Sequence, residues 1–330
     1  MSVKVINQKH GDRWSFYNAD CVEFTAGLPD NSIDHCVYSP PFSSLYIYSD
    51  SERDMGNSAD DAEFFQHYQF LLSELYRATR PGRVHAVHVK DLVYYQGSSA
   101  RGTAGLRDFS GDVIRAYTAA GFDFHCRITV YRDPVLERAK TNAHGLLWKT
   151  FQADATFCRT GLPEYVLVFR KWAQSEADKA LIKPVPHPKK SVPLEAWQEL
   201  ASPVWTTHEP EMWLGQTSCV WNLKPSGMGD GDLPATDTLN VKQAREGRDE
   251  KHLCPMPLNI TRRCLKLWTG AGDSVYSPFG GIGSEGYVCM QEGRRFIGAE
   301  LKPAYWERGC RYILEAERAG VQTGLFEAAS

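Results

Sequence analysis

The 330-residue chain is short of several features that would each announce a function. No Cys-x-x-Cys pair occurs; its nine cysteines are scattered and often sit in apolar strands. They read as reduced core thiols of a cytosolic protein, so neither a disulfide framework nor a structural zinc or other metal site is expected. No apolar run reaches membrane-spanning length, and Met1 to His10 contain no apolar leader segment. The expectation is a cytoplasmic protein with no membrane partner. Neither charge sign dominates: 37 Lys and Arg face 40 Asp and Glu, net -3. A nucleic-acid surface is therefore not announced by total charge and has to be local. The one long glycine-rich loop does not end in Lys-Ser/Thr, which disfavours nucleoside triphosphate hydrolysis. Nothing resembles a nuclease motif.

What the chain does have is strand and helix in alternation. Strands are read at 14–19, 33–37, 83–90, 122–131, 164–170, 275–277 and 295–300. Helices are read at 20–28, 62–79 and 108–120, from Pro257 into the 260s, from the glycine loop to Glu292, and from Pro303 onward. In 62–79 the residues Phe64, Phe65, Tyr68, Leu71, Leu72, Leu75 and Tyr76 share a face, and Arg80-Pro81-Gly82 is expected to end the helix. The alternation predicts an α/β fold, a doubly wound, mostly parallel or mixed sheet covered by helices on both faces. After Lys171 the character changes. Residues 172–250 are rich in Pro, Trp, Gly and charge, with Trp197, Trp205, Trp213 and Trp221 and little periodicity. The chain is thus read as 1–171, an irregular middle at 172–250, and 251–330.

Two stretches carry chemistry. In the first, Ser39-Pro40-Pro41-Phe42 follows the strand ending at Val37-Tyr38. Consecutive prolines donate no ladder bonds and fix φ, so the strand must stop in a rigid corner. At a strand's carboxyl end in an open α/β sheet such a corner is where ligands bind. It offers the Ser39 hydroxyl, the Pro40 carbonyl and the Phe42 face, a set suited to a planar heterocycle bearing an exocyclic amine. In the second, Ser277-Pro278-Phe279-Gly280-Gly281-Ile282-Gly283 lies between a strand and a helix, and Glu300 ends the next strand. Glycines permit the tight turn and close ligand approach, and an acid about twenty residues on suits ribose hydroxyls.

As an ordered pair, these stretches resemble the S-adenosylmethionine-dependent DNA amino-methyltransferases in their permuted (beta) order. There the catalytic motif comes first, a target-recognition region sits in the middle and the cofactor loop comes last. Residues 74–82, Lys251-His252 through Pro257-Leu258, and Arg294 to Leu301 resemble further family segments, so the likeness covers nearly everything outside 172–250. It implies a Rossmann-like methyltransferase fold with circularly permuted motif order and 172–250 inserted for target recognition. The implied cofactor is S-adenosylmethionine, bound by Tyr38, His252, Pro257, Ser277, Pro278, Phe279, Gly280, Gly281, Gly283 and Glu300. Ser39, Pro40, Pro41 and Phe42 form the implied catalytic set, with Tyr46, Tyr48 and Arg53 towards the base.

The implied partner is double-stranded DNA. A homodimer is common in the family, and a cognate restriction enzyme is present for some members and absent for others. Arg262, Arg263, Lys266 and the Lys183–Lys190 cluster are candidates for phosphate contacts.

The chain also departs from the family pattern. Ser277 stands where Asp is usual, and Pro255-Met256 replaces Gln-Lys. Ser at the head of the catalytic motif is commoner among N4-cytosine members, which favours cytosine N4 slightly over adenine N6. RNA and protein amides are the other substrates that such a corner suits. No Pro-Cys dipeptide occurs, so the thiolate chemistry of cytosine-C5 enzymes is excluded.

Overall fold

The computed structural model describes residues 5–42, 55–58, 60–98, 101–132, 148–188, 192–205, 238–240 and 255–327. Tyr46, Tyr48, Arg53 and His252 lie outside the described residues, as do Lys189, Lys190, Trp213 and Trp221.

In chain order the N-terminal elements are β1 (Val5–His10), β2 (Trp14–Ala19), α1 (Cys21–Ala26), β3 (Ile33–Tyr38), α2 (Asp61–Ala78) and β4 (Thr79–Lys90). A small hairpin follows, β5 (Leu92–Tyr94) with β6 (Gly105–Arg107), then α3 (Phe109–Ala119) and β7 (Asp123–Val130). Next come α4 (Trp148–Ala153), β8 (Glu164–Arg170), α5 (Glu176–Ala180), α6 (Leu194–Leu200) and β9 (Val204–Trp205). The C-terminal unit is α7 (Leu258–Trp268), β10 (Ser274–Ser277), α8 (Ser284–Gln291), β11 (Arg295–Glu300) and α9 (Pro303–Glu327).

Nine strands form one sheet in the order β1-β2-β11-β10-β3-β4-β8-β7-β9. Five of the eight neighbouring pairs are parallel, including every pair from β2 through β4. The predicted mostly parallel sheet is therefore the observed one, with antiparallel additions at both sides. From β3 the chain moves outward to β4. From β10 it moves the opposite way, to β11. The boundary between β3 and β10 is the switch point of the sheet, where open α/β folds leave a crevice beyond the strands' carboxyl ends.

Local chemistry fixes the elements around that boundary. All six residues of β3 are buried, as expected for a strand covered on both faces. Asp20, Asp60 and Asp108 cap α1, α2 and α3, each accepting backbone N–H bonds from the first turn. One core layer packs Phe24, the α2 face Phe64, Tyr68, Leu71, Leu72 and Leu75, and α3 residues Phe109, Val113 and Tyr117. The other packs Ile260, Cys264 and Leu265 of α7, Val288 to Met290 of α8 and Trp306, Cys310 and Ile313 of α9.

One expectation is corrected, and two features were not read from the sequence. Arg80-Pro81-Gly82 does not separate helix from strand; β4 already starts at Thr79. The pairing Ile33↔Thr79 jumps to His35↔Val84, so Arg80 to Arg83 form a bulge. Gly82 permits it at φ 83, donating its N–H to the Lys171 carbonyl. Second, β1 was not foreseen; its residues are mostly exposed and show no apolar alternation. Third, the irregular middle is tied to the sheet, because Val204–Trp205 pairs with Thr129 and Val130 and Trp205 is wholly buried.

Candidate functional site

At the carboxyl ends of β3, β10, β11 and β2 lies a cleft of about 1000 Å³, its outer part open to solvent. Both predicted stretches line it: Ser39, Pro40, Pro41 and Phe42 on one side, Pro278 to Ile282 and Glu300 on the other. Parallel pairing of β3 with β10 brings them together.

The Ser39 hydroxyl donates to the His88 carbonyl at 2.9 Å. Its proton is thereby committed, and its oxygen lone pairs remain to accept from a ligand. That carbonyl belongs to a fixed residue. The His88 Nε2 lies 2.9 Å from Glu164 Oε2, and Arg132 pairs with the same carboxylate. Burial works to raise the Glu164 carboxyl, but the His88 bond and the Arg132 charge outweigh it and hold the group well below the usual range. Phe42 packs against Phe109 with ring centroids 5.9 Å apart.

Tyr38 does not line the cleft. Its ring is fully buried, and its hydroxyl lies 2.6 Å from those of Tyr68 and Tyr117. The ring sits 5.6 Å from that of Phe279, so it joins the two motifs from beneath.

The loop after β10 is built on glycine. Gly283 caps α8 at φ 85, and a Cβ there would meet the Gly309 backbone at 2.9 Å. Gly281, at φ 50, faces open space and donates its N–H to Glu300 Oε2 at 2.8 Å. The other Glu300 oxygen accepts the Lys302 N–H. A carboxylate oxygen accepts more than one hydrogen bond, so ribose hydroxyls are donors that suit this group. Ser277 lies beneath the loop, fully buried, its hydroxyl without a partner among the described residues. Pro257 sits at the N-cap of α7, one place before the predicted first turn. The cleft is reached instead by Pro255 and Met256.

Several lining residues escaped the sequence reading: Asp20, Cys21, Met256, Glu285, Lys302 and Tyr305. Asp20 carried a signal, a helix cap at a strand's carboxyl end. Cys21 is pushed well above the usual thiol range by burial and by the Asp20 charge. Glu285 is 3% exposed, and burial pushes its carboxyl up to about 8.

The candidate phosphate contacts fare differently. Arg263 is buried over the Trp205 ring at 5.4 Å. Arg262 is held by Asn259, Gln291 and Glu292. Lys183 pairs with Asp273 at 3.0 Å, beyond the opposite end of the sheet. Lys266 is exposed.

The donor set fits an adenosine-bearing sulfonium cofactor. A backbone loop opens beside a ribose-type acid, and Met256, Phe279, Ile282 and Tyr305 supply apolar wall.

The family model described as DNA methylase matches residues 33–310. Among curated relatives, Type II methyltransferase M.Cfr9I of Citrobacter freundii is 43% identical over 54 residues, 16% of this chain and 18% of the relative. Type II methyltransferase M.SfiI of Streptomyces fimbriatus is 28% identical over 115 residues, 34% of this chain and 26% of the relative. The curated alignments thus span about a quarter of the relatives' length at most. Two solved structures share the fold. TTHA0409 of Thermus thermophilus, complexed with S-adenosyl-L-methionine, aligns with TM-score 0.58 at 19% identity over 90% of this chain and 93% of that one. The cytosine-N4-specific PvuII DNA methyltransferase aligns with TM-score 0.57 at 14% identity over 97% of each chain.

Proposed function

The chain belongs to the DNA methylase family whose model spans residues 33–310, and on that premise we propose that it methylates the exocyclic amine of a DNA base, with S-adenosylmethionine as methyl donor. The observation that carries this reading is the meeting of Ser39-Pro40-Pro41-Phe42 with the glycine loop across one cleft. When bound, the cofactor supplies an electrophilic methyl group. The Gly280–Gly283 loop and Glu300 hold its adenosine side.

The chain's own residues prepare the nucleophile. An exocyclic amine attacks poorly because its lone pair is delocalised into the ring. Ser39 Oγ, with its proton committed to His88, and the Pro40 carbonyl accept the two N–H bonds and localise that pair. The Pro40-Pro41 corner is rigid before the base arrives, so positioning supplies much of the rate. Phe42 stacks on the base, which must leave the duplex to reach the corner. Transfer is direct: the lining thiol, Cys21, is held protonated and is no nucleophile.

Residues 172–250 would select the target sequence, flanked by a catalytic half at 1–171 and a cofactor half at 251–330. Ser at the head of the motif favours cytosine N4 over adenine N6. The Type II names of the curated relatives support a modification role, beside a restriction enzyme or alone.

The test is methyl transfer from labelled S-adenosylmethionine to unmethylated duplex DNA, read by nucleoside mass spectrometry. N4-methylcytosine is the expected product, formed far more slowly with Ser39→Ala. N6-methyladenine would correct the base and keep the class. No methylated nucleoside under conditions of demonstrated cofactor binding would exclude duplex DNA and direct the search to RNA and protein amides.

A further inference from the structure

The cleft's charged walls are unequal in what they already do. Asp20 Oδ1 caps α1, accepting from Val22 and Glu23. Glu300 accepts the Gly281 and Lys302 backbone N–H groups. The Lys302 ammonium lies 4.6 Å over the Tyr305 ring. Glu285 differs from all three. It stands in the first turn of α8, lines the cleft and is 3% exposed. Among the described residues no Lys, Arg or His pairs with it. The ionisable groups whose fields couple to it are Glu300 on β11, Cys36 on β3 and Cys289 one turn further along α8. Both thiols are pushed up by burial and stay neutral, and Glu300 repels it. A buried acid with an acidic neighbour and no cation is costly unless a cation is delivered from outside.

The ligand of the proposed function brings one. S-adenosylmethionine carries a sulfonium and an ammonium against one carboxylate. Its spent product has a neutral thioether in place of the sulfonium. We propose that Glu285 is the counter-charge for the cationic methionine end of the cofactor and lets the cleft tell fresh cofactor from spent product by charge. This rests on the methyltransferase reading and assigns a role to a residue outside the glycine loop and the ribose acid.

The consequence is a proton balance. With its carboxyl raised to about 8, free Glu285 is mostly protonated at neutral pH. An arriving cation favours the ionised form and releases that proton to solvent. Affinity for the sulfonium therefore climbs as pH rises towards 8, while affinity for the neutral thioether climbs less.

Calorimetric titration of the full chain decides it, using S-adenosylmethionine, S-adenosylhomocysteine and sinefungin, an analogue with an ammonium at the sulfonium's place. Two buffers of different ionisation heat report proton release. For the wild type, the preference for the two cationic ligands over the thioether should rise about tenfold between roughly pH 6.5 and pH 8.5. Proton release should accompany them at neutral pH. In E285Q the preference should be flat with pH and the release absent. A wild type whose preference ignores pH and which releases no proton overturns the inference, and so does E285Q behaving as wild type. The wild-type proton count decides alone if E285Q does not fold. Failure of the wild type to bind any of the three ligands would instead remove the methyltransferase reading itself.

Discussion

The two ends of the central strands are built on opposite principles. At the amino end, Asp34 of β3, Arg83 of β4 and Asp273 before β10 form a closed ionic cluster. Arg83 reaches Asp273 at 2.9 Å and Asp34 at 3.3 Å. Arg80 and the Ser274 N–H complete Asp34; the Gly270 N–H and Lys183 complete Asp273. At the carboxyl end β3 stops in prolines and β10 in proline and glycines, beside a buried Glu285 without a cation and a Ser277 hydroxyl without a partner among the described residues. At one end each carboxylate meets a cation of the chain itself, although Arg83 Nε stays without a partner among the described residues; at the other a buried carboxylate meets none among them. Stability sits where every charge is answered inside the chain. Binding sits where some charges wait for a ligand.

The strongest way to break this contrast is to open the closed end. Arg83→Ala would leave two buried carboxylates short of their shared cation, and should cost about 3–5 kcal/mol in denaturant unfolding. At the open end, Ser39→Ala should lower kcat by about 10²-fold in a methyl-transfer assay with little change in Tm, because it removes an acceptor aimed at a ligand. Gly283→Ala combines a left-handed backbone with a clash against Gly309. It should weaken cofactor binding in a titration and destabilise the fold by about 1–3 kcal/mol.

A change of pH sharpens the contrast without altering a residue. His35 at the closed end is held down to about 4, chiefly by burial. Its unfolded form takes a proton that the folded form refuses, so stability falls as pH drops from about 6.5 towards 4. Asp273 adds to this. Burial works to raise it, but the Gly270 N–H, Lys183 and Arg83 hold it below the usual range. Its contribution is present above the unfolded value and lost as pH falls through the folded one. Glu285 runs the other way: raised to about 8, it contributes stability below the unfolded value that is lost as pH climbs through the folded one. Glu285→Gln should therefore raise the ligand-free Tm near pH 8 and change it little near pH 4. Thermal melts of both proteins across that range check the sign.

The helix starts at Asp20 and Asp108 and the strand of Glu164–Arg170 were legible because their causes lie within a few residues. So was the Ser39 corner, since proline acts on its own backbone. The bulge at Arg80 to Arg83 was not legible, because its cause is a pairing with β3 and a carbonyl at Lys171. Tyr38 was assigned to the cofactor from its place in a motif, yet its hydroxyl turns to Tyr68 and Tyr117 on two helices. Arg263 looked like a surface cation until Trp205 came to lie beneath it.

The sequence by itself determined the alternation of strands and helices, the rigid proline corner and the glycine loop with its following acid. Periodicity, caps and backbone freedom are local properties. Only the tertiary structure decided that the corner and the loop share a cleft. That meeting requires β3 and β10 to pair, elements whose linked residues Asp34 and Ser274 stand 240 positions apart. It also decided that Glu285 is buried with no cation beside it among the described residues and that Asp273 is held by Arg83, Lys183 and the Gly270 N–H. A carboxylate's neighbours and dielectric are fixed by packing between distant segments, and no local pattern encodes them.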